Sequence, residues 1–366
     1  MSAPLRRITL LLALPVVALM FFIGAYFFFY RGGYDAPPAV AIPFESITSP
    51  TSSHVDFTEA PELSRGMLLV DGGHRNDFSK EEVSSLLARV AARGHEVEFL
   101  GEPSSFGGFN RLSLTVRLPL LEEQLRRANS LAVIVPDEPY SREEVDLVER
   151  FVDKGGRLLL VADPTRDNRI NSLAERFGIT FQPDYLYNTV DYDLNFQNIF
   201  VDDFLPDEVT RGLRRIALYA AGSVKSSSPG LAYTDANTRS SIVERIEPFY
   251  PMVKGRRGGV LAIYDLTFMV PPQNSILDND RLISNIADYL TAGERAFGLA
   301  DFPYFFEDDA DILLGRSSLF DKGTALKALL SGSRLDSEIV GAENLSRDTV
   351  YLGLYQDAAD VAQYLE

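Results

Sequence analysis

The chain contains no cysteine and only three histidines among its 366 residues. The missing thiol excludes disulfides, thiolate zinc sites and a cysteine nucleophile together. His54, His74 and His95 are too few for a histidine-rich metal centre. Cations are also in deficit: 35 Lys and Arg stand against 52 Asp and Glu, a net charge of −17. No Lys/Arg cluster supplies the basic face with which nucleic-acid proteins neutralise phosphates, so DNA and RNA are not expected partners. Several motifs are missing as well. There is no G-x-S-x-G elbow, no G-x-G-x-x-G and no phosphate-loop lysine. The nearest imitation of a serine nucleophile, Ser223 in "AAGSVK", would need His74 as its base; a loop serine is the plain alternative.

What is present points to a folded domain behind a membrane anchor. A content of 46% hydrophobic and 24% charged residues suits a packed core and argues against global disorder. Ile8 to Tyr30 carries no charge and, as a helix, would extend about 35 Å, enough to cross a bilayer core. Arg6 and Arg7 precede it and only Arg31 follows closely, which places the N-terminus in the cytoplasm and the remainder outside. The expectation is a single-pass protein of the cell membrane with an extracytoplasmic globular part. A cleaved signal peptide is the alternative, with "AVA" at Ala39 to Ala41 as the cleavage site. Residues 1–31 thus form the cytoplasmic tip and anchor, and the Pro-, Ser- and Thr-rich residues 32–64, including His54, form a tether.

Two similar strand–helix units follow. "RGMLLVDGG" and "LAVIVPDEP" are short apolar runs that end in turn residues. Each leads into S-x-x-E, Ser79 to Glu82 and Ser141 to Glu144, a capping box at a helix start. Further strands are read at "HEVEFL", "GRLLLVADP" and "GGVLAIYDLTFMV" (Gly258 to Val270), with a helix at "DNDRLISNIADYL". Strands alternating with helices predict an α/β fold with a parallel sheet covered on both faces. Residues 184–250 are the least periodic and read as an insertion over the sheet. Aromatics between Tyr185 and Phe200 either pack that loop onto its domain or stack on a sugar.

The closing strand, the polar loop and "LDNDRLISNIADYL" resemble the end of a known domain group. It comprises gliding-motility-type ABC-transport auxiliary proteins, the related intraflagellar-transport domain and bacterial membrane proteins with a domain of unknown function. "NDFSKEEVSSLLARVAARGHEVEFL" and "DKGGRLLLVADP" resemble its opening, so the resemblance covers roughly residues 65–292. It implies a flavodoxin-like, class I glutamine amidotransferase-like sandwich, and a role in binding or assembly near membrane machinery. The amidotransferase relatives carry a cysteine on a sharp turn after a central strand; the comparable turn here is "VPDEPYS", without one.

Ligands of open parallel sheets bind beyond the carboxyl ends of the strands. That rule selects Asp71, Gly72, Gly73, His74 and Asn76 after the first strand, and Asp137 and Glu138 after a central one. Asp163 and Arg166 follow the next strand, and Asp265 and Asn274 the last. All are expected on one rim, within reach of Asp278 and Asn279, which read as a helix cap. A hard metal ion would use Asp71, His74 and Asp77 with Asp137 or Asp163, but D-x-x-H-x-x-D is no established ligand spacing. The plain reading makes Asp71 and the glycines shape a turn while Asp77 and Ser79 satisfy free N–H groups at a helix start. No metal or cofactor is expected.

Residues 300–366 read as a small α/β extension: a helix at "FDKGTALKALLSGS", a strand at "TVYLGLYQ" and a terminal helix at "DAADVAQYLE". Its acidic turn, Glu307 to Asp311, lacks the glycine and spaced glutamate of an EF-hand. The functional expectation is a noncatalytic, membrane-anchored binding or assembly domain, with a transporter or envelope complex as partner or a small ligand at the rim. The alternative is a membrane-anchored hydrolase built on the acidic rim around His74.

Overall fold

The computed structural model describes residues 3–30, 59, 61–105, 107–244, 247–255, 258–297, 301–302, 306, 309–332 and 335–364. His54, Glu307, Asp308 and almost all of the tether lie outside them. The chain divides into two compact units, Met1–Thr51 and Ser52–Glu366. In the first, α1 spans Ala3–Tyr30. Its side chains are described from residue 13 to residue 29, and the large apolar ones, from Leu14 to Phe29, are exposed. Among the described residues no helix is long and apolar enough to cross a membrane. The span expected from sequence, Ile8 to Tyr30, is longer than that described stretch, and the anchor remains a proposal.

The second unit begins with alternating strands and helices: β1 (Gly66–Asp71), α2 (Ser84–Ala92), β2 (His95–Leu100), α3 (Leu114–Arg127), β3 (Ser130–Ile134), α4 (Arg142–Asp153) and β4 (Arg157–Ala162). There follow α5 (Asn171–Ala174), β5 (Ile179–Phe181), β6 (Leu186–Asn188), β7 (Asn198–Val201), β8 (Asp203–Phe204), β9 (Ile216–Tyr219) and β10 (Val224–Ser226). The series closes with β11 (Gly230–Tyr233), β12 (Thr238–Ser240), β13 (Met252–Gly255), β14 (Val260–Tyr264) and α6 (Asn279–Thr291). The main sheet has the order β2-β1-β3-β4-β14-β13-β11-β8. The first five strands are parallel. With the short antiparallel strands set aside, this is the flavodoxin-like order 2-1-3-4-5.

The apolar runs of the central strands are continuous because both of their faces are covered. Successive residues point to opposite sides. Leu68 and Val70 join Leu86 and Val90 of α2 and Leu282 and Ile283 of α6 in one core. Met67 and Leu69 join Leu121 and Leu125 of α3 and Val145 and Val148 of α4 in the other. The tether reaches the sheet at the N-terminal end of β1, opposite the rim: Glu59 pairs with Arg89 of α2, and Ser64 N–H donates to the Arg93 carbonyl.

Three expectations are corrected. The insertion does not merely lie over the sheet. Its strands β11 and β8 extend the main sheet beyond β13, the three being antiparallel to their neighbours, and its other strands form the pairs β12-β6 and β7-β9 and, with β5, β10-β5, so the sheet is mixed. Strands of two to four residues are too short to show a period. The last parallel strand ends at Tyr264, where Asp265 turns the chain into a 3₁₀ segment, Thr267–Met269. In the C-terminal segment, β15 (Ala310–Leu314) lies between β16 (Ile339–Val340) and β17 (Asp348–Leu352) in a parallel sheet, beside α7 (Phe320–Gly332). Asp311 therefore belongs to a strand, not a turn; the expected terminal helix is 3₁₀, Tyr355–Tyr364, with a kink at Ala358.

Burial separates the two ends of the apolar scale. Leu159→Ala, in the centre of β4, should cost about 2–5 kcal/mol. Leu345→Ala, at a side chain 82% exposed, should stay within about 0.5 kcal/mol. Urea unfolding of both variants checks the assignment.

Candidate functional site

The carboxyl end of β1 delivers Asp71 to a fully buried position, and the next turn brings His74 and Asn76 back onto it. His74 Nδ1 lies 2.9 Å from Asp71 Oδ2 and 3.0 Å from Oδ1. Three further donors complete the carboxylate: the Gly73 amide (3.0 Å), Asn76 Nδ2 (3.2 Å) and the Tyr140 hydroxyl (2.7 Å). The Tyr140 ring also stacks on the imidazole, with centroids 3.7 Å apart. On the far side His74 Nε2 faces Glu144 Oε1 at 3.5 Å, a charge contact longer than a well-formed hydrogen bond. Glu144 takes a bidentate pair from Arg117, at 2.6 and 3.2 Å. Asp71, His74 and Glu144 have no exposed surface, and Arg117 is 4% exposed.

Signs alternate along this chain: carboxylate, imidazolium, carboxylate, guanidinium. Burial alone would raise the Asp71 carboxyl, but the His74 charge and the hydrogen bonds from His74, Tyr140 and Gly73 outweigh it and hold it low. Burial alone would lower His74, but the Asp71 charge and contacts to Asp71 and Glu144 outweigh it and hold it high. Glu144 is likewise held well below its usual range against burial, by His74, Arg117 and the Ser141 amide. Tyr140 is raised by burial and by Asp71. Four groups of opposite sign face one another away from water, and His74 Nε2, 3.5 Å from Glu144, is the one ring nitrogen of this buried chain that makes no hydrogen bond.

The glycines serve packing. A Cβ on Gly72 would strike the Phe109 ring, and one on Gly73 would meet Arg117 Cδ at 3.0 Å. Their amides are engaged within the fold, Gly72 donating to the Leu100 carbonyl at 2.9 Å and Gly73 to Asp71 Oδ1 at 3.0 Å. At the sharp turn after β3 stands Val135, fully buried, with φ 39. A β-branched residue in that region is a true outlier. The side chain at this turn has no nucleophilic atom.

The expected common rim is divided. Above the buried chain lies an open cleft of about 500 Å³, lined by Arg75, Asp77, Gly107, Gly108, Asp137 and Thr165 to Asp167. Asp137 pairs with Arg75, and Glu138 pairs with Arg111 at 2.8 Å. Arg166 clamps Glu82, whose carboxylate also accepts from the Ser79 amide at 2.8 Å in the turn before α2. Asp163 and Asp265 are buried elsewhere: Asp163 accepts from Thr165 and the Leu266 amide, Asp265 from the Tyr219 and Thr267 amides. Burial, then the Asp163 charge, raises Asp265 well above its ordinary value. Asn274 reaches Ser85 of α2 instead of the rim. Asp278 and Asn279 do not cap α6 through their side chains; they hold the backbone of Arg214, Arg215 and Ala217. Ser223 donates to Asp184. Among the described residues no group of three His, Asp or Glu is placed to hold a metal ion.

Sequence reasoning missed Arg117, Tyr140 and the second use of Glu144. Arg117 had a signal: it shares the apolar stripe of α3 with Leu121, Gln124 and Leu125. A cation on a buried helix face implies a buried anion.

No family model matches the chain. No curated protein matches it. Among solved structures it is similar to the "mmIFT52 N-terminal domain", at 16% identity and TM-score 0.47 over 63% of this chain and 99% of that one. It is also similar to a ThuA-like protein from Parabacteroides merdae, at 10% identity and TM-score 0.33 over 63% of this chain and 90% of that one. Likeness at this level assigns neither family nor activity.

His74→Leu should lower stability by about 3–5 kcal/mol, because buried carboxylates lose their cation. Adding Asp71→Asn should restore part of that loss, as read by urea unfolding. The pH profile follows from the shifts. Asp71 and Glu144 are lowered, so their contribution is present above their unfolded values near about 4 and is lost on acidification. His74 is raised, so its contribution is complete below about 6.5 and is lost as pH rises through its folded value. His95 is pushed down to about 4 by burial, so stability also falls as pH drops below about 6.5; the maximum should lie near about pH 6.5, and His74→Leu should flatten the alkaline limb.

Proposed function

We propose that this chain is a noncatalytic binding or assembly domain, anchored to the cell membrane by its first helix and held outside the cytoplasm, beside a transporter or envelope complex. The observation that carries this reading is the closure of the Asp71–His74–Glu144–Arg117 chain beneath a cleft that stays open. Groups that would do acid–base chemistry are buried and mutually neutralised, and Val135 occupies the sharp turn. The cleft lies beyond the carboxyl ends of β1, β3 and β4, and it includes the β1/β3 point at which the strand order reverses. That is where open α/β sheets take ligands. The five-strand order supports the resemblance to gliding-motility-type and intraflagellar-transport domains. A helix apolar on every described side supports the anchor, since such a surface is stable in lipid or in a protein core.

The hydrolase reading requires His74 to meet at least two of Asp71, Asp137, Asp163 and Asp265. Among the described contacts it meets Asp71 alone. Asp137 is held by Arg75, and the other two lie with Thr165 and Thr267.

A thermal-unfolding screen of the full chain against small ligands tests the binding role. A ligand at 100 times its Kd should stabilise by about 2.7 kcal/mol, and Arg75→Ala, at a side chain 62% exposed, should remove that gain. A complete lack of stabilisation, with no partner recovered from membranes, counts against the reading. So does ester or phosphoester turnover that His74→Gln abolishes. For the anchor, the full chain should stay in the membrane pellet through alkaline carbonate extraction, and a variant lacking residues 3–30 should be released. Release of the full chain would remove the anchor from the account.

A further inference from the structure

A neutral imidazole carries one N–H, and an imidazolium carries two. His74 has a carboxylate at each nitrogen: Asp71 at 2.9 Å from Nδ1 and Glu144 at 3.5 Å from Nε2. Either neutral tautomer therefore turns a bare lone pair toward a carboxylate. The Nε2 side is the weaker of the two, since it makes no hydrogen bond. His74, Asp71 and Glu144 have no exposed surface, so water does not screen that repulsion. The other groups around the ring do not relieve it. On its own loop, Asn76 Nδ2 and the Gly73 amide already donate to Asp71. Ahead of α4, Tyr140 stacks on the ring and donates its hydroxyl to Asp71. From α3, Arg117 is committed to Glu144 at 2.6 Å and approaches Glu138 at 3.8 Å. Arg111 lies against His74 in an isolated β-bridge and turns its side chain to Glu138. Once the His74 proton is gone, two carboxylates face one buried guanidinium. The repulsion is relieved when the loop after β1 and α4 move apart.

That loop is a wall of the rim cleft. Arg75, Asn76 and Asp77 line it, and Asp137 is paired with Arg75. Both partners of this ion pair are tied to the His74 backbone. Arg75 is the next residue, and Asp137 precedes Glu138, whose amide donates to the His74 carbonyl at 3.0 Å. Arg75 also stands at φ 52, in the left-handed region that disfavours a side chain. Such strain persists where the surroundings over-determine the backbone. Here they do so from both sides: the His74 amide donates to Asn76 Oδ1 at 3.1 Å, and Asn76 Nδ2 donates to the Ile134 carbonyl at 2.8 Å. The Arg75 side chain is exposed, so its pair with Asp137 is too weak to hold the loop by itself. A shift of His74 thus lets Arg75 leave its strained conformation and parts it from Asp137.

We propose that His74 is a proton-controlled latch on the rim cleft: its imidazolium holds the Asp71–Asp77 loop against α4 and Arg75 against Asp137, and loss of the proton lets that wall move. Burial favours the neutral ring, but the Asp71 charge and the contacts to Asp71 and Glu144 outweigh it, so the latch opens on the alkaline side of the ordinary histidine range. The latch rests on the reading of this cleft as the binding site; by linkage, an occupant of the closed cleft and the His74 proton favour each other. The test reads the loop without any ligand, so its failure is distinct from a failure to bind. The chain has no cysteine. Asp77→Cys and Asp167→Cys, both at exposed cleft positions, therefore place the only two nitroxide labels on the loops after β1 and β4 of the full chain. Pulsed EPR distances are recorded from about pH 5.5 to 9, beside the His74 Cε1–H titration of the same protein, with circular dichroism confirming the folded state. The distance distribution should widen or shift with the midpoint of the His74 titration. His74→Gln, neutral at every pH, should show the alkaline distribution throughout. The comparison of midpoints needs no change at His74 and decides the matter even where His74→Gln does not fold. Distances that stay constant through the His74 titration overturn the proposal. So does a change with a different midpoint, or one that persists in folded His74→Gln.

Discussion

The buried contact between Asp71 and His74 organises the carboxyl end of the sheet. It joins the loop after β1 to α4 through Glu144 and Tyr140, and to α3 through Arg117. Each member is tolerable in the interior only because its neighbours have the opposite sign. Remove one, and the desolvation cost of the remainder is no longer offset. The same contact explains why residues that look reactive in a list are inert in space. Burial disfavours the charged imidazole, and the Asp71 charge with the contacts to Asp71 and Glu144 outweighs it and raises the proton affinity of His74.

Much of the fold was legible in the sequence because its central strands are long, apolar and bounded by turns. The two S-x-x-E units were readable for the same local reason, but only Ser141 to Glu144 caps its helix; Ser79 and Glu82 bond each other in a turn ahead of α2, which starts at Ser84 with Val83 as its N-cap and no side-chain cap. Asp71, His74 and Asn76 were selected together by chain proximity, and they are together. What was not legible depends on distance in sequence. Glu144 looked like a helix-start residue and is one; its contact with His74 joins positions 70 apart. Arg117 lies in α3, whose helical signal is interrupted by Pro119. Val135 and Leu194 look like ordinary apolar residues, and only their dihedral angles set them apart. The short strands of the insertion leave no period to detect.

The cleft beyond β1, β3 and β4 is polar and mixed in charge. The tether joins the sheet at the opposite edge from the cleft, near Glu59 and Ser64. Strand polarity therefore keeps the attachment point and the cleft apart.

The central claim is that His74 is a buried structural imidazolium. The most direct measurement is an NMR titration of the imidazole Cε1–H signals of the full chain. Only three histidines contribute, and His95 is pushed down to about 4 by burial, so the signals should separate. The account predicts that His74 titrates above the ordinary value and is shielded from histidine-modifying reagents at neutral pH. An ordinary midpoint near about 6.5 together with rapid modification would contradict it and reopen the case for a catalytic base.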